Sequence, residues 1–97
     1  MAQIRQEGTR WLVSGAMTMA EVSALLAQSA ALPVTNKLEV DLAEVTDVDT
    51  ATISLLFEWL RQACARKCKV TFAHLPENLV SLATVYGVFE LLPQEPH

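Results

Sequence analysis

The sequence predicts a single small α/β domain, in which a mixed sheet of four to five strands carries helices packed against it. Three observations lead there. Stretches in which apolar residues alternate take turns along the chain with stretches at helical spacing. The length, 97 residues, fits one domain spanning 1–97. A hydrophobic content of 52% supplies enough apolar surface for one core and argues against disorder.

The elements follow in order. Residues 4–6 form a weak first strand, Gly8 and Thr9 a turn, and Trp11, Leu12 and Val13 a second strand ended by Ser14 and Gly15. From Thr18 the spacing becomes helical: Val22, Leu25, Leu26 and Ser29 fall at i, i+3, i+4 and i+7. Thr18 stands three residues before Glu21, a capping-box pattern that sets the start of this helix, and Pro33 sets its end. Leu38, Val40 and Leu42 alternate with Glu39 and Asp41 as a half-buried strand, after which Val45 and Val48 continue through a short loop. Residues 50–67 carry the strongest helical pattern, and 70–73 the next strand. Pro76 suits the first turn of a third helix and Gly87 its C-terminal cap. Residues 88–92 form a last short strand or pack down before Pro93. Strands joined through helices imply right-handed βαβ crossovers.

Charge narrows the function. The formal net charge is −4, with only seven basic residues, of which Arg61, Arg66, Lys67 and Lys69 gather near one helix end. That excludes a nucleic-acid footprint, which needs clustered cations along a face. No stretch reaches the ~18 apolar residues of a membrane-spanning helix, and the polar start shows no secretory signal. Cys64 and Cys68 are expected to be free thiols in a reducing compartment. They share a helix face at i, i+4, yet neither His74 nor His97 completes a zinc spacing, so no metal is expected. Asp41, Glu44, Asp47 and Asp49 make an acidic stretch without the glycine of a calcium loop, and it reads as a solvated loop. Glycines stand isolated at 8, 15 and 87, so there is no phosphate cradle, and no nucleophile pairs with a histidine. Neither an enzyme nor a cofactor is expected.

What is left is the junction of the third strand and second helix. In an α/β sheet this is a carboxyl end, where ligands and partners dock. Asp49 and Thr50 stand there at a helix N-terminus. One of them is a simple N-cap, or the Thr50 hydroxyl is an addressable switch whose phosphate the helix terminus would accept. The helix that follows offers a second signal. Ile53, Leu56, Phe57, Leu60 and Cys64 cluster within roughly 80° and read as the core face. Leu55 and Trp59 fall roughly 200–240° from Ile53, flanked by Ala51 and Thr52. Either another part of the chain covers this second stripe, or a partner does.

The order of elements, with Val40-Asp41-Leu42 followed by Val45, Val48-Asp49-Thr50 and an apolar helix, resembles a STAS domain. That family includes bacterial anti-sigma factor antagonists and the small cytoplasmic subunit of the Mla phospholipid-transport ABC complex. In the family pattern an acid precedes a Ser or Thr that is the phosphoacceptor of the sigma-regulating branch, and Asp49 and Thr50 match these two. Ala51 and Thr52 depart from the glycine usual next, which disfavours close approach of a kinase but not docking. The Thr at the acceptor position and the ending soon after the third helix are similar to the Mla subunit. The resemblance therefore implies a regulatory subunit, in the cytoplasm and peripheral to the inner membrane through its complex, docked on the ABC transporter ATPase subunit. The positions concerned are Asp49 and Thr50 and, by helical geometry, Thr52, Leu55 and Trp59. The alternative is an anti-sigma factor antagonist, switched by phosphorylation of Thr50, whose partner is an anti-sigma factor kinase.

Overall fold

A computed structural model describes residues 2–32 and 35–94. Strands β1 (Gln3–Glu7) and β2 (Arg10–Met17) form the expected hairpin across Gly8 and Thr9. Helix α1 (Met19–Ala30) leads to β3 (Lys37–Val48), which lies parallel to β2. Helix α2 (Thr50–Ala65) leads to β4 (Lys69–Ala73), parallel to β3. The sheet order is β1-β2-β3-β4, four strands with one antiparallel pair and two parallel ones. Helix α3 (Glu77–Val85) and a short 3-10 turn (Phe89–Leu91) complete the chain.

Alternation sorts the strands into two faces. Trp11, Val13, Met17, Leu38, Val40, Leu42, Val70 and Phe72 are buried and form one cluster with Leu25 of α1, Leu55, Leu56, Trp59 and Ala63 of α2, and Leu79 and Ala83 of α3. The register places Arg5, Leu12, Asp41 and Ala73 side by side on the other face, with Arg10, Glu39 and Thr71 next to them.

Several boundaries differ from the pattern-based expectation. Strand β2 does not stop at Ser14 and Gly15 but runs on to Met17, and β3 runs to Val48 where a loop was expected. The reason is two bulges. Leu12 pairs Asp41 and Ser14 pairs Glu44; then Gly15 pairs Val45 and Ala16 pairs Asp47. Each step inserts one extra residue into β3, which shifts the inward-facing phase and brings Val45 inward three residues after Leu42. Strict alternation fails across such a shift, so the strand reads as a loop. Gly15, at φ 88, supplies the left-handed backbone opposite the second bulge.

The helix ends are equally specific. Thr18 is the N-cap of α1, but its side chain makes no cap bond, and Glu21 reaches instead to the backbone N–H of Ala2 at 2.9 Å. The expected capping box is therefore absent there. Helix α2 ends at Ala65 rather than at Lys67: Lys67 N–H donates to the Cys64 carbonyl and Cys68 N–H to that of Ala63, a Schellman closure with Lys67 at φ 55. Helix α3 closes the same way through Gly87, at φ 70, with Val88 N–H on the Ala83 carbonyl. After the 3-10 turn, Phe72 N–H donates to the Pro93 carbonyl at 2.8 Å and Phe72 bridges Gln94, so Pro93 and Gln94 lie along the outer edge of β4 as an isolated bridge and not as a strand. Pro33 and His97 lie outside the described residues.

Candidate functional site

Because β2 and β3 run parallel, the N-termini of α1 and α2 emerge side by side at the same end of the sheet. Asp49 ties them together. It is the N-cap of α2, in extended conformation, and one carboxylate oxygen accepts from Ala51 N–H at 2.8 Å. The other accepts from Met19 N–H, at the start of α1, at 3.1 Å. Thr52 closes the capping box, accepting from Asp49 N–H at 3.0 Å and donating to the Met17 carbonyl. Asp49 is thus a structural clamp, and the end of β3 is fixed by bonds on both its sides.

Thr50 is different: it is exposed at the first position of the helix. It borders an open groove of about 370 Å³ lined by Thr50, Ile53, Ser54, Phe57, Tyr86 and Val88. Ile53 and Phe57 are half-buried at the edge of the core, and Tyr86 is exposed. The surface is therefore a hydroxyl beside an apolar furrow, formed where α2 meets the turn that ends α3. Further along α2, the Arg61 guanidinium bonds Glu58 and, with Gln62, holds its carboxyl below the usual carboxylate range.

The expected assignment of helix faces in α2 is corrected. Leu55, at 1% exposure, and Trp59, at 3%, point into the core, and Thr52 is fully buried. Of the face expected to meet the core, Leu56 is fully buried as expected, but Ile53, Phe57 and Leu60 pack only at the rim and Cys64 is exposed. Periodicity gives two stripes but not which one meets the sheet. The choice goes to the stripe whose polar atoms find partners: Trp59 Nε1 donates to Ser29 Oγ at 3.0 Å, and Thr52 finds the Met17 carbonyl. Trp59 also packs edge-on against Trp11, with ring centroids 5.6 Å apart. Neither Leu55, Trp59 nor Thr52 offers a surface to a partner. Tyr86 and Val88, which do border the groove, carry no local signal in the sequence beyond following the third helix.

Two other clusters resolve plainly. The stretch expected as a solvated acidic loop is strand from Asp41 to Asp47, with Glu44 and Asp47 exposed as expected and Asp49 capping the helix beyond it. Asp41 is buried, its carboxylate accepting from Ala43 N–H at 2.9 Å and lying 3.2 Å from His74 Nδ1 and 3.8 Å from Arg10. The His74 contact anchors the turn after β4 to β3, and the Arg10 contact links β2 to β3. Cys64 and Cys68 do not share a helix face, since the helix ends between them; both are free, and Cys68 is buried. Among the described residues no three His, Cys, Asp or Glu side chains gather to hold a metal, and no helix is long and apolar enough to cross a membrane.

A family model described as "Mlab, STAS domain" matches residues 2–93. No curated protein matches the chain. Among solved structures the fold is similar to that of the anti-sigma factor antagonist SpoIIAA in its unphosphorylated form, with a TM-score of 0.74 at 9% identity, covering 100% of this chain and 90% of that one. It is also similar to a serine-to-glutamate variant of RsbS from Moorella thermoacetica, with a TM-score of 0.63 at 15% identity, covering 99% of this chain and 86% of that one. A third likeness, to Mglu, has a TM-score of 0.61 at 22% identity and spans 79% of this chain but 20% of that one. Likenesses at such identities concern the fold alone.

Proposed function

Because the chain belongs to the STAS domain family, we propose that it acts through protein contact rather than chemistry, as a regulatory and assembly subunit docked on the ATPase of a phospholipid-transport ABC complex. The observation that carries this reading is the exposed Thr50 beside the groove of Ile53, Ser54, Phe57, Tyr86 and Val88, in a chain matched by a family model of the Mlab kind. An open, half-apolar groove with no nucleophile and base paired among its lining residues suits a partner's face better than a substrate. Asp49 and Thr52 hold the loop rigid from beneath, so Thr50 is presented at a fixed height above the furrow. Leu55 and Trp59 support the helix from the core side. In this reading the chain lies in the cytoplasm and meets the inner membrane only through its complex.

A second reading has its own observation. Thr50 is an exposed hydroxyl at a helix N-terminus, where backbone N–H groups favour a phosphate, and the fold is similar to an anti-sigma factor antagonist. There the partner would be a kinase that releases the chain on phosphorylating Thr50. Co-purification of a tagged chain from its native host, with partners identified by mass, separates the two. The first reading expects an ABC ATPase together with its permease. A small kinase in their place, with a phosphorylated form of the chain, would overturn it.

A further inference from the structure

We propose that the Gln28 side chain acts as a stand-in strand residue that keeps the free edge of the sheet closed to another β-strand. Strand β1 is the outer strand on its side and, among the described residues, pairs only with β2. An open strand edge is a template for pairing with another chain. Here the outward-facing groups at the start of β1 are already engaged. Gln28 Oε1 accepts from Ile4 N–H at 2.9 Å, and Gln28 Nε2 donates to the Ala2 carbonyl at 3.3 Å. That N–H and that carbonyl flank Gln3. In a parallel ladder, one residue of an incoming strand would satisfy both, accepting from the first and donating to the second. A primary amide carries the same pair, one C=O and one N–H, in a single planar group.

The neighbouring group is taken as well. Glu21 Oε1 accepts from Ala2 N–H at 2.9 Å. Glu21 and Gln28 are seven residues apart, two turns along the face of α1 that overlies β1. The strand is five residues long, so these bonds engage the groups that flank Gln3, and beyond them along the edge lie the Ile4 carbonyl and Gln6, whose side-chain amide donates to the Gly8 carbonyl at 3.3 Å. The opposite edge of the sheet is covered too, where Phe72 N–H meets the Pro93 carbonyl. The chain thus guards both ends of its sheet, one with main chain and one with a side-chain amide. This inference is independent of which partner docks at Thr50.

Gln28→Met tests it, because Met keeps side-chain length and helix propensity while removing both hydrogen bonds. The readouts are amide exchange at Ile4 and mass in solution over a dilution series of the full chain. We expect exchange at Ile4 about tenfold faster, the ratio that one lost bond of about 1.4 kcal/mol gives, with a mass that rises with concentration above that of the wild type. Gln28→Glu keeps an acceptor for Ile4 N–H but has no donor for the Ala2 carbonyl, and it adds a charge that discourages pairing, so its mass should stay that of the wild type at every dilution. The proposal is overturned if Gln28→Met leaves Ile4 exchange or the mass series as in the wild type. Should that variant not fold, Gln28→Ala is measured in its place: faster exchange at Ile4 with a mass that rises with concentration supports the proposal, and wild-type behaviour in either readout overturns it.

Discussion

Thr52, fully buried in the first turn of α2, donates its hydroxyl hydrogen to the Met17 carbonyl at the end of β2. Through this bond, and the Asp49 N–H that it accepts, one side chain joins a strand, a loop and a helix. Thr50, two residues earlier, is exposed. The two threonines therefore divide the work of the junction, one holding it and the other facing outward. Thr52→Val would leave the Met17 carbonyl and Asp49 N–H without that partner in the interior, at a cost of roughly 2–4 kcal/mol. Thr50→Ala should stay within about 0.5 kcal/mol of wild type. Urea unfolding of both variants checks the contrast, and equal losses would contradict it.

The end of α2 is a place where the chain is less stable than it need be. Lys67 adopts φ 55 in the position that Gly87 occupies after α3 at φ 70. A side chain in the left-handed region costs about 1 kcal/mol relative to glycine. Lys67→Gly should therefore stabilise the domain by up to about 1 kcal/mol, while Gly87→Ala should destabilise it by about the same amount. Opposite signs in thermal or urea unfolding are the signature.

The two tryptophans pack edge-on against one another but differ at their nitrogens. Trp59 Nε1 donates to Ser29 Oγ, whereas Trp11 Nε1 is buried without a hydrogen-bond partner among the described residues. Replacing either by Phe removes a similar volume, so the difference reports the bond. Trp59→Phe is expected to cost about 1–2 kcal/mol more than Trp11→Phe. Equal costs would mean that the Ser29 bond contributes nothing net.

The cysteines should react in a fixed order. Burial pushes the Cys68 thiol up, against a smaller opposing pull from the Arg66 cation, while Cys64 is exposed. Since the thiolate is the reactive form, iodoacetamide at mildly alkaline pH should label Cys64 first and Cys68 only once the domain is unfolded. Peptide mass mapping over time reads the order, and simultaneous labelling would place Cys68 at the surface.

Much of this architecture is legible in the sequence because short-range signals carry it. The alternation of Leu38, Val40 and Leu42 marks β3, the Gly8–Thr9 pair marks the hairpin, and Asp49-Thr50 just before an apolar helix narrows its cap to one of two residues, of which the structure selects Asp49. What escapes depends on pairings across the chain. The bulges that extend β3 exist only relative to β2, so the step from Leu42 to Val45 looks like a loop. The buried face of α2 is chosen by Ser29 and Met17, at sequence separations of 30 and 35 residues from their partners. Apolar periodicity weighs Trp59 and Phe57 alike, and only those polar partners tell them apart. The groove at Thr50 is half legible for the same reason, its α2 wall by spacing and its Tyr86–Val88 wall not at all.

The most direct test of the docking account compares tagged wild type with Thr50→Glu, each purified from the native host and assayed for the bound ATPase by quantitative mass spectrometry. Thr50→Glu places a charge at the rim of the groove without disturbing the bonds of Asp49 or Thr52. Wild type is expected to retain the ATPase, Thr50→Glu to recover it about tenfold less, equivalent to about 1.4 kcal/mol of binding, and both chains to melt alike. Equal recovery of the ATPase by the two chains would contradict the placement of the docking surface at Thr50.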